Sequence, residues 1–168
     1  NDSPPDPVEV EEYRKRRRWW MYDGLHRAYL DYDGGRRIVA TCLDTGKTQW
    51  EAPFEQVSPL TLTATSDRVL LHDGKRIHCL TLADGSPVWE SEELTVERRL
   101  VAENAPTLTV HEDVVLFAWN GTLFSFDLAT GNQLWQKGEF SQGDYRSPAS
   151  VLVLDGLVWD MNITNKSE

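Results

Sequence analysis

Residues 42–50, Cys-Leu-Asp-Thr-Gly-Lys-Thr-Gln-Trp, gather several side chains that could do chemistry. Asp44-Thr45-Gly46 is the triplet with which an aspartic protease offers a carboxylate to water. Gly46-Lys47-Thr48 is the tail of a phosphate-binding loop, in which backbone N–H groups cradle phosphate and the lysine reaches its oxygens. Both readings fail on their neighbours. The protease triplet is followed by Ser, Thr or Ala, and Lys47 stands there. The phosphate loop needs a glycine five residues before Gly46, and Thr41 occupies that place. Of the remaining candidates, His26, His72, His78 and His111 lack metal-ligand spacing, and Cys42 and Cys79 lack the paired spacing of a zinc site. His111-Glu112-Asp113 reads as a polar turn between strands. Arg14-Lys15-Arg16-Arg17-Arg18, followed by Trp19-Trp20, is the basic and aromatic mixture that contacts single-stranded nucleic acid. Glu9, Glu11 and Glu12 beside it cancel much of its field, so a protein-facing or intramolecular role is expected instead.

The opening stretch is one of three. Leu80–Trp89 reads LTLADGSPVW and Phe126–Trp135 reads FDLATGNQLW. Gly46, Gly85 and Gly131 recur 39 and 46 residues apart, and Trp50, Trp89 and Trp135 keep the same intervals. A Gly-x-x-x-Trp unit at a period of about 40–50 residues marks a propeller or a solenoid. In the second and third units alanine (Ala83, Ala129) takes the place of Asp44, so that carboxylate is not a reacting group. What the units share is a turn: glycine reaches positive φ between two strands while Asp or Thr beside it bonds local backbone.

Strands are legible around each turn. Asp67–His72, Asp73-Gly74 and Lys75–Leu82 form an apparent hairpin, copied by Asp113–Trp119, Asn120-Gly121 and Thr122–Leu128. The first unit offers Arg27–Asp31 before Asp33-Gly34-Gly35, then Arg36–Leu43. Leu60–Ala64 and Thr107–Val110 precede the second and third. Four short antiparallel strands per unit make a propeller blade. Blades are expected near residues 25–53, 58–92 and 106–138, with an incomplete one over 148–168 that opens at Val151–Trp159. The fold class is therefore all-β, about three and a half blades of a propeller. Residues 1–12 form a lead or linker, with three of the eight prolines in Asn1–Pro7, and 13–168 the partial propeller.

The third unit resembles the tryptophan-docking repeat of PQQ-type (quinoprotein-like) β-propellers, Leu-Asp-Ala-x-Thr-Gly-x-x-x-Trp, through Asp127, Thr130, Gly131 and Trp135. The other units match in part: Cys42 and Thr81 replace the Asp, and Asp84 replaces the Thr. The resemblance, over roughly residues 25–160, implies that Trp50, Trp89 and Trp135 each pack against a neighbouring blade and its turn. Quinone-dependent dehydrogenases of this kind hold their cofactor with calcium or a lanthanide, a catalytic Asp and often an adjacent cysteine pair. No such pair exists here, so no catalytic, cofactor-binding or metal-ligating residue and no cofactor is assigned. The reading is a non-catalytic scaffold, a segment of a larger repeat protein that meets a protein partner or the remaining blades, as outer-membrane assembly propellers do. A segment of a quinone-dependent dehydrogenase is the alternative, and nucleic-acid contact through residues 14–20 a second. The resemblance also implies an extracytoplasmic location.

Charge and length agree. A net charge of −10 disfavours nucleic acid and anionic membrane as main partners. No apolar run reaches the roughly 20 residues that span a bilayer. Asn120, Asn162 and Asn165 open glycosylation triplets, which matter only in a eukaryotic secretory route. An arc of three and a half blades leaves two open sheet edges, so a piece of a longer chain, or two chains closing one ring, is expected.

Overall fold

The computed structural model describes residues 35–58, 60–94, 105–140 and 149–159, and they are all-β. A hairpin of β1 (Arg36–Thr41) and β2 (Thr48–Phe54) comes first. Next is a four-stranded antiparallel sheet of β3 (Thr63–Ala64), β4 (Arg68–His72), β5 (Ile77–Thr81) and β6 (Pro87–Glu90), paired in chain order. A second sheet repeats it with β7 (Thr107–His111), β8 (Val114–Trp119), β9 (Thr122–Asp127) and β10 (Gln133–Lys137). A hairpin of β11 (Leu152–Leu154) and β12 (Leu157–Trp159) follows. The expected strand Arg27–Asp31, His26 and the stretch Arg14–Trp20 lie outside the described residues.

The sheets are stacked, and the sequence shows why. β4 (RVLLH) and β8 (VVLFAW) are nearly continuous apolar runs, as a strand covered on both faces requires. Alternate side chains serve alternate neighbours. Val69, Leu71 and Leu80 pack with Ile38 of the first hairpin, beside Trp50, Ala52 and Phe54. Leu70, Ile77 and Cys79 point the other way, into Leu108, Val115, Phe117 and Phe126 of the next sheet. Leu116, Ala118 and Leu123 leave the far side of that sheet to meet Val151, Val153 and Val158 of the last hairpin. There are thus three successive inter-sheet cores. The last strand of each four-stranded sheet is largely exposed, with only Trp89 half-buried on β6 and β10 exposed throughout. Leu108 N–H donates to Leu60 O at 3.3 Å, tying the first strand of one sheet to the approach of the other.

Turn chemistry accounts for the joins. Asn120-Gly121 and Asp155-Gly156 both sit at positive φ (46° and 72°, 53° and 71°), the two-residue hairpin turn that matches strand twist. The second unit departs from its expected outline at two places. Asp73-Gly74 opens a four-residue loop instead of a two-residue turn, because Asp73 Oδ1 accepts the N–H groups of Lys75 and Arg76 at 2.8 Å each. The stretch Leu60–Ala64 pairs only at Thr63 and Ala64. Leu60 stands at φ 60°, and Thr61 Oγ1 accepts the His72 N–H at 3.1 Å. A side chain there does the work of the ladder.

Candidate functional site: the tryptophan and glycine seams

Each Gly-x-x-x-Trp unit folds around the same pair of backbone bonds. Gly46, Gly85 and Gly131 donate to the carbonyls of Cys42, Thr81 and Asp127 at 2.9, 3.1 and 2.8 Å. The N–H groups of those same three residues donate to Lys47, Ser86 and Asn132 at 2.9, 2.8 and 2.9 Å. The side chain that opens the turn bonds the one three residues on. Asp127 Oδ1 accepts both the hydroxyl (2.7 Å) and the N–H (2.8 Å) of Thr130, and these bonds hold its carboxyl below the usual range. In the second unit the pair is inverted: the Thr81 hydroxyl donates to Asp84 Oδ1. That bond, with the Ser86 N–H, brings Asp84 down to about 2. In the first unit Thr45 bonds Cys42 and lowers its thiol pKa. The departures from the repeat pattern therefore preserve a donor–acceptor pair, with its members exchanged in the second unit and a thiol in place of the carboxylate in the first.

An indole lies on two of the three glycines. The Trp50 ring covers Gly85 so closely that a Cβ there would stand 2.6 Å from its Cε3. The Trp89 ring covers Gly131 with the corresponding distance at 2.5 Å. Real Cβ contacts do not come this close, and φ of +74° at both positions is strained for any side chain. Each indole N–H is satisfied across the seam: Trp50 Nε1 donates to Leu82 O at 2.9 Å and Trp89 Nε1 to Leu128 O at 2.8 Å. The acceptor is in both cases the carbonyl three residues before the glycine. Sequence reading finds the Trp and the Gly because their types are special. It misses the acceptor, because any residue supplies a carbonyl. Trp135 stands exposed on β10, opposite Ser125.

A second arrangement, unsuspected from sequence, lies at the other end of the strands. The His72 ring is fully buried and stacks on Phe117 of the next sheet with centroids 4.8 Å apart. Its Nδ1 accepts the Gly74 N–H at 3.1 Å, which fixes the neutral tautomer. The Ser58 hydroxyl donates to that same nitrogen at 2.9 Å, and Nε2–H donates to Leu94 O at 3.0 Å. Burial pushes this histidine down to about 4, against the partial support of the Leu94 carbonyl and Asp73. Beside it His78 lies between Asp73 Oδ2 at 2.8 Å and Glu90 Oε1 at 3.4 Å. Burial opposes the Asp73 charge, but hydrogen bonds from His78 and from the Arg76 and Lys75 amides outweigh it and hold that carboxyl below its usual range. The Ser58–His72 contact looks like a nucleophile and its base, yet both groups are sealed from solvent. Ser58 and Thr61 lie in the connection between β2 and β3 and His72 ends β4, and no spacing rule joins them. Among the described residues no group of three or more His, Cys, Asp or Glu could hold a metal ion. His111 sits on β7, half-buried, with Glu112 in left-handed backbone at φ 51°. Cys42 and Cys79 are free thiols.

Consecutive four-stranded antiparallel sheets, stacked through alternating apolar faces, define the chain as part of a PQQ-type β-propeller. The family model described as outer membrane protein assembly factor BamB matches residues 27–162, and the chain belongs to that family. Among solved structures it is similar to BamB from Moraxella catarrhalis, with a TM-score of 0.52 and 18% identity over 74% of this chain and 42% of that one. A europium-containing methanol dehydrogenase is matched at a TM-score of 0.48 and 15% identity, over 62% of this chain and 22% of the other. The chain thus spans less than half the length of either relative. A comparison with curated proteins gives no match. Among the described residues no helix is long and apolar enough to cross a membrane.

Proposed function

We propose that this chain is a non-catalytic interaction scaffold, a propeller segment with an extracytoplasmic protein partner in the manner its family's description implies. The observation that carries the reading is the family match over residues 27–162. The use made of the reactive side chains supports it. Asp127, Thr130, Thr81 and Asp84 are spent on closing turns, and the His72 ring is spent on packing against Phe117 of the next sheet. Trp50 and Trp89 act as docking wedges between blades, since an indole on a bare glycine buries apolar area and satisfies its own N–H. We take residues 1–12 as a lead and 13–168 as the partial propeller. The remaining blades of a longer chain, or a second copy, complete the ring.

Titration of the chain's tryptophan fluorescence with pyrroloquinoline quinone and calcium is the test. The scaffold reading predicts no saturable quenching and no calcium-dependent rise in melting temperature. Saturable quenching at micromolar quinone would transfer the assignment to a dehydrogenase segment. On the positive side, a photo-crosslinker at Lys75 or Asn120, in a chain exported to the periplasm, should give a discrete adduct with one envelope protein. Export without an adduct from either position counts against an envelope partner.

A further inference from the structure

The basic run Arg14–Arg18 is the sharpest charge feature of a chain whose net charge is −10, and nothing in the scaffold reading uses it. The run lies outside the described residues, but its chemical complement is among them. Between the second and third blades, beside the exposed strands β6 and β10, runs a groove of about 570 Å³. One wall holds Glu90, Glu92 and Glu93, at the end of β6 and just beyond it. Leu94 and the Phe126 ring supply apolar surface, and residues 130–133 form the other wall with neutral groups only. No lysine or arginine is among the described residues that line it. Carboxylates beside an apolar floor are the complement of an arginine or lysine side chain, whose methylene stem lies on the floor while its cationic head reaches the acid. The volume falls within the range of about 300–1,000 Å³ that suits a drug-sized ligand, so it takes a few such side chains.

The run is within reach of this groove. Arg36, which opens β1, pairs with Phe54, and the Phe54 ring lies 5.2 Å from that of His78. His78 Nδ1 in turn is 3.4 Å from Glu90 Oε1. The described chain therefore begins at the same end of the strands as the glutamates. Sixteen residues, 19–34, separate Arg18 from Gly35. A stretch of that length spans about 50 Å when extended, several times the ~10 Å between stacked sheets.

We propose that the groove is a docking site for a basic, extended segment, and that its occupant is Arg14–Arg18 of the same chain. Glu9, Glu11 and Glu12 weaken the field of the run at a distance, but at contact the energy is set by the charges that touch. The bonds are ionic and lie at the surface, so the docking is reversible and weakens with salt. It goes beyond the scaffold reading and does not depend on it.

Carbodiimide coupling of the 168-residue chain tests this, because it joins a lysine amine to a carboxylate only where the two touch. Lys15 stands inside the run, and its sequence neighbours Glu9, Glu11 and Glu12 serve as an internal standard for its reactivity. Mass spectrometry of the 19.2 kDa band should find Lys15 joined to Glu90, Glu92 or Glu93, in a yield independent of protein concentration. That yield should vanish in about 1 M salt. Glu92→Lys should lower the coupling of Lys15 to Glu90 and Glu93 by at least about threefold. Asp44→Lys, the same change of charge in the first unit's turn, should leave it unchanged. Lys15 joined to these glutamates only in a band of twice 19.2 kDa would give the groove to a second copy and overturn the proposal. The absence of any Lys15 adduct in the groove would overturn it too, as would a yield that Glu92→Lys does not move.

Discussion

At the scale of single residues, the repeat pattern conceals an equivalence that the structure makes plain. Asp127 with Thr130 and Thr81 with Asp84 make the same bond in opposite directions. Exchanging the second pair, by Thr81→Asp together with Asp84→Thr, should leave the melting temperature where it was. Either substitution alone should lower it by a few degrees, because two carboxylates or two hydroxyls then face each other. A single exchange as harmless as the double one would contradict this account. The cysteines offer a second test. Thr45 lowers the thiol of half-buried Cys42, whereas burial pushes fully enclosed Cys79 up to about 11. Because the thiolate is the reacting form, a thiol reagent at neutral pH should label one cysteine of the native chain, Cys42, and reach Cys79 only in denaturant. Rapid native labelling of both would contradict the placement of Cys79. The glycines and tryptophans were legible in the sequence because their backbone and size have few substitutes. The inverted pair was not, since matching by type sees two mismatches where the chemistry is conserved.

At the scale of elements, acid should loosen the stack at His72. Its pKa is about 4 folded and 6.5 in the reference state, so the folded form resists protonation. Its contribution is complete above pH 6.5 and falls as the pH drops toward 4. The loss amounts to roughly 3 kcal/mol for a shift of this size. Asp73, held below its reference value of 3.8, adds a further loss below that pH. Urea unfolding across this range should show stability falling from pH 6.5 to 4, and His72→Gln should flatten that slope. An unchanged slope in the variant would remove His72 as the cause. The seams act at the same scale. Trp89→Ala should cost roughly 3 kcal/mol for the lost ring and its cavity, and Trp89→Phe less, with about 1 kcal/mol for the indole hydrogen bond. Equal losses in the two variants would say that the ring contributes nothing beyond its N–H. Strand order and hairpin turns were largely readable from alternation and from Asn-Gly and Asp-Gly pairs. The short β3 and the long Asp73–Arg76 loop were not. There Thr61 and Asp73 side chains take over backbone bonds, and a propensity argument cannot see that exchange.

At the scale of the whole molecule, the chain belongs to the BamB-described family and has its blade-on-blade plan. We propose that consecutive blades are held by an indole seated on the next blade's glycine turn. Gly46 and Gly131 isolate that contact, because they share the turn and nearly the same φ, +66° and +74°, but among the described residues only Gly131 carries an indole. The decisive measurement is the urea unfolding free energy of Gly46→Ala and Gly131→Ala, taken at a concentration where the chain is monomeric. Both variants bear the strain of a side chain at positive φ, about 1 kcal/mol. Gly131→Ala must also displace Trp89, so it should lose at least about 2 kcal/mol more than Gly46→Ala. Equal losses would mean that the seam contributes nothing, and the account of how these blades hold together would fall.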